Sequence, residues 1–457
     1  MKNVWLSIVA ASLVLGCGSA SPSMLKPSEK TAMTTPVKPA AAPLEIAEAP
    51  KEEDESARLI AEMLDKVAKV RGLPIKRTVP GTTLTREALG QRLRDMVGEE
   101  IPKEVLVAQG EMLAALEVVP PDYDFLTGMM ALLGGRIAGF YDPKQATMVL
   151  AGDLAEAEAT ETLAHELAHA LADQSFPLAP HVKYRPGEGD RSSAVHAFIE
   201  GDATSTMLDV TLGSAFAMNE TALRVAFVAS TLLSEVGAKT PRAINSSLVA
   251  PYVDGFVCVQ ELRRLGDWRA VDEVWNDLPE TTEQLLHIDK LLAREPAEII
   301  ANPSLGPLEK EGYRPVIEDV MGEQGLRILL EDIAVRSVAK EAAAGWGGDK
   351  VVVAERVDQG KRQVAVSYRL RMDTVLDAAE VAAQFERKYG KKCKERKDLG
   401  PVAWEIKGRD IVLVSGPYER QNEGPRSVGS CNVSKAWLSA AWKAAPSVGD
   451  VVKRASR

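Results

Sequence analysis

Apolar residues recur at helical spacing through most of the first two thirds of the chain. From Ser56 to about Pro120, apolar side chains lie three and four residues apart, as in SARLIAEMLDKVAKV and TREALGQRLRDMV, which predicts helices. Residues 134–152, GGRIAGFYDPKQATMVLAG, hold two β-prone runs around the turn signal DPKQ, which predicts a hairpin. A helix is predicted directly after it. A polar loop at YRPGEGDRSS and further helices at about 194–234 and 251–265 follow.

The pattern changes beyond about Glu311. A predicted helix at 323–346 precedes two alternating strands, KVVVAERV and RQVAVSYRLRM. Another helix at 374–390 precedes the strands PVAWEIKG and RDIVLVSG. The sequence therefore predicts an α+β protein, with a mostly helical body over residues 56–310 that contains a small hairpin or sheet, and a C-terminal α+β domain over residues 311–457.

The first 55 residues have a different character. Val4 to Leu15 is an apolar run too short to span a bilayer, which is typical of an export signal. It ends in LVLGC, which resembles the lipobox of bacterial lipoproteins and implies that residues 1–17 are a signal peptide ending at the lipidated Cys17. The Pro- and Ala-rich residues 18–55 predict a disordered tether. We expect a protein anchored by lipid in the bacterial cell envelope, with the periplasmic face of the outer membrane favoured.

Composition limits the class of binding partner and indicates the redox state of the cysteines. The chain has 457 residues, 46% of them hydrophobic, and a net charge of −10, so an acidic surface disfavours nucleic acid as a partner. In an oxidising envelope we expect Cys393 and Cys431 to form a disulfide, because both lie in the C-terminal region. Cys258, inside the apolar run GFVCVQ, is expected to be a buried thiol.

The predicted helix after the hairpin contains a possible metal site. Residues 161–176, ETLAHELAHALADQSF, place His165 and His169 one turn apart on one face, where two imidazoles can bind zinc. Glu166 lies between them as a candidate general base. Leucines at every fourth position form a separate stripe that would bury the helix. Asp173, one turn after His169, is predicted to orient an imidazole through a hydrogen bond.

A catalytic zinc site also needs a third protein ligand. The pattern H-E-x-x-H-x-x-G-x-x-H is excluded, because Ala172 and Ser175 occupy its last two defining positions. Glu200, on the next amphipathic segment, is the preferred third ligand, since two histidines and a glutamate are a known catalytic set. His196, one turn earlier, is the rival ligand. Asp202 is predicted to hydrogen-bond a ligand histidine.

Several motifs carry a resemblance to known families. HELAHALAD resembles the metal helix of thermolysin-type gluzincin peptidases. In order, GFYDP, HELAHALADQ, EGDA and TEQLLH resemble a little-characterised family of bacterial exported lipoproteins, and the similarity continues weakly through GWGGD at 345–349. The resemblance implies that His165, His169 and Glu200 bind the metal and that Glu166 is the base. Thr204 stands where the thermolysin pattern has an aspartate, which leaves the role of Asp202 open.

These features predict a zinc-dependent peptidase, tethered to the envelope, that cleaves a peptide or protein substrate. Its oxyanion would be stabilised by His287 as first choice or by Tyr141 as second. An edge strand of the hairpin, residues 135–141 or 145–151, would pair with an extended peptide.

Two other functions remain open at this stage. The protein could be a non-catalytic envelope lipoprotein, chaperone-like or an assembly factor, that keeps a zinc site. Alternatively, the C-terminal α+β domain could be the functional module and bind a partner. The intact Glu166 favours the enzyme, because a structural metal site has no use for a base between its ligands.

Overall fold

The computed structural model describes residues 52–445 except 137, 154–155, 182 and 234. The predicted signal peptide, Cys17 and nearly all of the predicted tether lie outside the described residues. Within the described part of the chain, no helix is long and apolar enough to cross a membrane. The α+β class is confirmed, with helices through the N-terminal body and a larger sheet near the C-terminus.

Helices dominate the described chain up to residue 293. They are α1 (Glu52–Arg71), α2 (Arg86–Glu100), α3 (Lys103–Ala115), α4 (Phe125–Arg136), α5 (Glu156–Ser175), α6 (Gly189–Leu212), α7 (Glu220–Leu233), α8 (Glu235–Lys239), α9 (Arg242–Asn276), α10 (Thr282–Leu286) and α11 (Ile288–Ala293). A 3-10 turn covers Ala215–Ala217, and α9 is interrupted at Gly266 and Asp267. The loop predicted at YRPGEGDRSS is shorter than expected, because α6 already begins at Gly189.

A three-stranded sheet precedes the metal-motif helix. The predicted hairpin is confirmed as β2 (Gly139–Asp142) and β3 (Thr147–Ala151), which pair antiparallel. The strand β1 (Gly81–Leu84), within a region predicted to be helical, pairs parallel with β3 on its other side. A run of four residues is too short to show an alternating pattern. Because β3 is central, residues 145–151 cannot supply the predicted substrate-binding edge, and β2 is the remaining candidate.

The C-terminal domain is built on a six-stranded sheet. The single helix predicted at 323–346 was wrong in one respect, because a turn after Glu331 divides it into two helices. The elements from residue 302 onward are β4 (Asn302–Pro303), α12 (Pro307–Lys310), β5 (Arg314–Asp319), α13 (Gly322–Glu331), α14 (Arg336–Ala343), β6 (Trp346–Asp358), β7 (Lys361–Met372), α15 (Val375–Tyr389), β8 (Val402–Lys407), β9 (Asp410–Gln421), β10 (Gly424–Ser427), α16 (Cys431–Ala441) and β11 (Ala444–Ala445). The strand order of the sheet is β10-β9-β7-β6-β5, with β8 also paired to β9.

The helices before the hairpin pack in two directions. The apolar face of α1, including Leu64 and Val67, packs in one core with the leucine stripe of α5. The helices α2 to α4 share the largest core with the C-terminal sheet. At the end of α3, the Tyr389 and Ser415 side chains donate to the carbonyls of Leu116 and Ala115. Body and C-terminal domain are therefore joined by a continuous apolar core.

The expected cysteine pairing is confirmed. Cys393 and Cys431 form a disulfide that joins the segment before β8 to the start of α16. Cys258 is a buried free thiol on α9, as its apolar surroundings predicted.

Candidate metal centre

Three side chains from α5 and α6 converge on one point. His165 Nε2 lies 3.0 Å from Glu200 Oε2 and 3.2 Å from His169 Nε2, and His169 Nε2 lies 3.6 Å from Glu200 Oε2. His165 and Glu200 are 2% and 3% exposed, and the His169 side chain is 12% exposed. Three potential ligand atoms thus form a compact triangle inside the protein.

The size of this triangle fits a metal ion. In a tetrahedral site with bonds of about 2.0–2.1 Å, neighbouring ligand atoms are about 3.3–3.4 Å apart. The three observed separations, 3.0, 3.2 and 3.6 Å, lie on both sides of that value. The donor set of two imidazole nitrogens and one carboxylate oxygen is one that Zn²⁺ accepts.

Close packing of two helices positions Glu200. Gly201, the next residue, lies where α6 crosses α9, and a Cβ there would come within 2.1 Å of the Gly255 carbonyl carbon. A Cβ on Gly255 would come within 1.7 Å of the Ala197 carbonyl oxygen. Glycine at both positions therefore lets the two backbones touch. The glycine of the EGDA motif is explained by this contact.

His196 contacts the other oxygen of Glu200. Its Nε2 lies 3.1 Å from Glu200 Oε1, whereas Glu200 Oε2 faces the other two histidines. His196 is only 1% exposed. The cluster with converging ligand atoms is His165, His169 and Glu200, so the rival ligand His196 instead holds the carboxylate of Glu200.

Glu166 has two oxygens in different surroundings. The Tyr141 main-chain N–H donates to Oε2 at 2.9 Å, while Oε1 is buried and has no hydrogen-bond partner in the described part of the protein. Burial raises the pKa of Glu166 above its ordinary value, and the charge of Glu200 acts in the same direction, against the two ligand histidines. One oxygen is thus held in place and the other is free to accept a proton.

Tyr141 is held by Asp173 and Arg77. The Tyr141 hydroxyl donates to Asp173 Oδ2 at 2.8 Å. Arg77 Nη2 donates to the Tyr141 hydroxyl oxygen at 3.1 Å and to Asp173 Oδ2 at 2.7 Å. Burial, followed by Asp173, raises the pKa of Tyr141. The Leu178 N–H donates to Asp173 Oδ1 at 2.8 Å. The prediction that Asp173 bonds an imidazole was wrong, because the hydrogen bonds described for its carboxylate go to Tyr141, Arg77 and Leu178.

Asp202 is likewise bonded to other groups than a ligand histidine. Arg71 donates to it through Nε at 2.7 Å and Nη2 at 3.0 Å, and Trp275 Nε1 donates at 2.6 Å. Two residues along a helix are about 200° apart, so Asp202 cannot face the ligands as Glu200 does. Its charge still acts on the site. Burial by itself lowers the pKa of His169. The charge of Glu200 above all, with a smaller contribution from Asp202, outweighs burial and raises the pKa of His169 to about 9.

His287 lies between α10 and α11 and contacts Glu323. Its Nε2 is 3.0 Å from both carboxylate oxygens of Glu323, and this hydrogen bond is the main cause of its raised pKa. None of the contacts described for His287 reaches the three ligands. Its predicted role as an oxyanion donor therefore stays a prediction without structural support.

Two residues at the site were not found by sequence reasoning. Arg77 lies in the connection between α1 and β1, 96 residues before Asp173. The Tyr252 ring of α9 lies 6.0 Å from the His165 ring and 5.0 Å from Phe227. No sequence signal connects these residues to the motif. They reach the site because α9 and the α1–β1 connection pack on α5.

Comparisons with known proteins address only the C-terminal domain. Residues 313–424 match the family model described as "Domain of unknown function (DUF8575)". No curated protein matches the chain, and no solved structure matches it. The matched segment runs from β5 through β9 to the first residue of β10 and contains none of the residues that surround the metal centre. What the centre does must therefore be argued from its own geometry.

Proposed function

We propose that this protein is a zinc-dependent peptidase in which His165, His169 and Glu200 bind the ion and Glu166 is the general base. The observation that carries the proposal is the triangle of ligand atoms beside a buried glutamate oxygen that has no hydrogen-bond partner in the part of the chain that the structure describes. Bound zinc would polarise a substrate carbonyl and make a water molecule more acidic. Magnesium and calcium are disfavoured, because they prefer oxygen ligands and higher coordination numbers.

The protein side chains have separable tasks in this proposal. Glu166 accepts a proton at Oε1 and transfers it to the leaving amine nitrogen. The Tyr141 N–H keeps Oε2 fixed, so that the two oxygens do not exchange places. Asp173 and Arg77 hold the Tyr141 side chain, which fixes strand β2 on α5.

The edge position of strand β2 supports the proposal that the substrate is a peptide. The Met148 N–H donates to Pro80 on the β1 side of β3, so Tyr141, its partner in register, directs its main-chain groups away from β3. Because the Tyr141 N–H already binds Glu166, a peptide would pair through the other main-chain groups of this edge, such as the Tyr141 carbonyl. An extended peptide can add to such an edge. All four residues of β2 are buried, so side chains around the edge must move before a peptide can pair there.

One observation favours the second candidate function, a non-catalytic envelope lipoprotein that keeps a zinc site. The base and two ligands are only 2–3% exposed, which also suits a structural metal. In either case we propose that Cys17 is lipidated and that the following tether holds the domain at the envelope surface.

The two candidates can be separated with the protein purified without its first 17 residues. We expect the wild type to bind about one zinc per chain and to cleave peptides from a library. Glu166→Gln should bind zinc equally and cleave nothing, whereas Glu200→Gln should lose the metal. Zinc binding without cleavage by the wild type would support the non-catalytic candidate. Absence of stoichiometric metal from the wild type would contradict both.

A further inference from the structure

Three buried aspartates lie where α6 meets the C-terminal domain. Asp190 is in the first turn of α6, Asp319 ends β5 and Asp349 belongs to β6, and they are 3%, 4% and 2% exposed. In the described ranges none of them forms a salt bridge, whereas the equally buried Asp202 is held by Arg71 at 2.7 Å. Burying an ionised aspartate without a cation is costly, so other groups must stabilise these carboxyls.

Main-chain amides at helix starts take the place of cations. Each aspartate accepts an N–H from the first residue of a helix in a neighbouring element, where the amide dipoles favour negative charge. The bonds are Gly189 N of α6 to Asp319 Oδ1 at 2.8 Å, Thr282 N of α10 to Asp190 Oδ1 at 3.1 Å and Gly322 N of α13 to Asp349 Oδ2 at 2.9 Å. Thr282 begins the TEQLLH motif and Asp349 ends the GWGGD motif, and both take part in these hydrogen bonds. The junction therefore gives a role to motif residues that lie outside the metal centre.

The carboxyls also face one another. Asp349 acts electrostatically on both Asp190 and Asp319, and Glu323 of α13 acts on Asp190. Asp190 also lies directly against the start of α13, where Gly322, at φ +72°, leaves no room for a Cβ beside Asp190 Oδ1. Four acidic groups from four elements thus surround one small volume.

The other titratable groups around this volume do not balance its charge. Lys350 acts on Asp319 and Asp349 from β6, and His287 bonds Glu323. The hydroxyls of Tyr184 and Tyr368 face Asp319 and Asp349 and have raised pKa values because of burial.

Two further cations lie at the rim of the cluster and have other partners. Arg327 is bound to Asp254, and Lys290 is shared among Glu283, Glu295 and Asp373. The cluster therefore holds an excess of acidic groups.

Proton uptake relieves this excess. Burial raises the pKa of Asp190 to about 8, of Asp319 to about 7 and of Asp349 to about 6. Asp190 Oδ2 is buried and has no hydrogen-bond partner among the described residues, which makes it the natural position for the proton. The folded junction then binds more protons than the unfolded chain from about pH 4 to about pH 8, so its stability falls as the pH rises through that range.

We propose that these carboxyls form a proton-dependent latch between α6 and the C-terminal domain, closed while Asp190 or Asp319 holds a proton and loosened when all are ionised. Asp190 is ten residues before Glu200 on the same helix, about 15 Å along its axis. The latch therefore sets the position of the helix that carries Glu200. It does not depend on whether the metal centre hydrolyses peptides.

Hydrogen–deuterium exchange of the whole protein between pH 5.5 and pH 8.5 tests the latch. After correction for intrinsic exchange, we expect the opening constant of the first turns of α6, α10 and α13 to rise about tenfold per pH unit for each proton that the closed latch holds. Asp190→Asn keeps the acceptor for Thr282 and places an amide where the proton would be. The slope of the logarithm of the opening constant against pH should therefore fall by about one in this variant. Asp289→Asn, an exposed site on α11, is the matched control and should keep the wild-type slope.

Two results would overturn the latch. One is an opening constant in the wild type that does not change with pH. The other is an unchanged slope in both Asp190→Asn and Asp319→Asn. If Asp190→Asn does not fold, the wild-type slope and Asp319→Asn still decide the question, because the donors to Asp319 both bind Oδ1, which asparagine retains.

Discussion

Glu200 makes two kinds of contact through its two oxygens. Oε2 faces His165 and His169, and Oε1 faces His196. A carboxylate bonded on its far side is held in one orientation, which is how groups beyond the ligands tune metal affinity. At this scale, the surroundings of single atoms separate a metal ligand from the residue that orients it.

His196 can be tested as an orienting residue. Its replacement by Phe removes the partner of Glu200 Oε1 in a buried site, so we expect zinc affinity to fall about 10- to 100-fold without complete loss of binding. A competition titration with a chromogenic chelator measures this, with His181→Phe, which lies outside the centre, as the control. Loss of zinc as complete as in Glu200→Gln would instead identify His196 as a ligand.

Among the elements, the crossing of α6 and α9 decides where Glu200 lies. The two backbones touch at Gly201 and Gly255, and neither position has room for a methyl group. The motif helix α5 is fixed separately, through its leucine stripe against α1 and through Glu166 and Asp173 against β2. The ligands therefore depend on two independent packing contacts.

Gly255→Ala tests the helix crossing. The added methyl would meet the Ala197 carbonyl, which cannot move without moving α6, so we expect the free energy of unfolding to fall by about 3 kcal/mol, together with weaker zinc binding. Gly98→Ala in α2 is the matched control, because nothing lies within 4 Å of its Cβ position. That change should stabilise the protein by up to about 1 kcal/mol. Equal effects of both in chemical denaturation would contradict the close-contact explanation.

For the whole molecule, the shared core joins α2–α4 to the C-terminal sheet. Glu111 of α3 accepts from Arg362, Arg420 and the Tyr418 hydroxyl, all on the sheet. Apolar residues of α2, such as Leu89 and Leu93, belong to the same core as the sheet residues. The segment 313–424 that matches a family model is therefore covered by helices from outside it.

A fragment of residues 311–445 should not fold well alone. Without α2–α4 its sheet exposes a large apolar face, so we expect aggregation, or dye binding with a broad thermal transition. Co-expression with residues 86–136 should restore solubility. A sharp, cooperative transition of the fragment alone, followed by circular dichroism, would show that the helices are dispensable.

The disulfide contributes to the stability of the whole molecule, because it closes a loop between two cysteines 38 residues apart. Its removal by Cys393→Ser with Cys431→Ser should lower the free energy of unfolding by about 4 kcal/mol, because the unfolded chain gains loop entropy. Urea denaturation measures the change. Cys258→Ser is the control: it keeps the disulfide, so reducing agent should lower its stability as it lowers that of the wild type, whereas the double variant should not respond.

The sequence by itself determined the features that depend on neighbouring residues. His165 and His169 share a face because helix geometry sets the spacing of four, and the β2–β3 hairpin follows from its turn signal. In the C-terminal domain, the strands β6 to β9 and the helix α15 follow from alternation and helical periodicity, whereas β5, β10 and α16 were not predicted. Cys393 and Cys431 were expected to pair because both lie in the C-terminal region.

Only the tertiary structure decided which groups meet across long separations. Asp173 was expected at an imidazole and binds Tyr141 and Arg77, and Asp202 binds Arg71 and Trp275. Strand β1 made β3 central, and helix starts from three elements surrounded the latch aspartates. Local periodicity predicts the face on which a side chain lies, but the partner on that face depends on how α1, α9 and the C-terminal sheet pack against it.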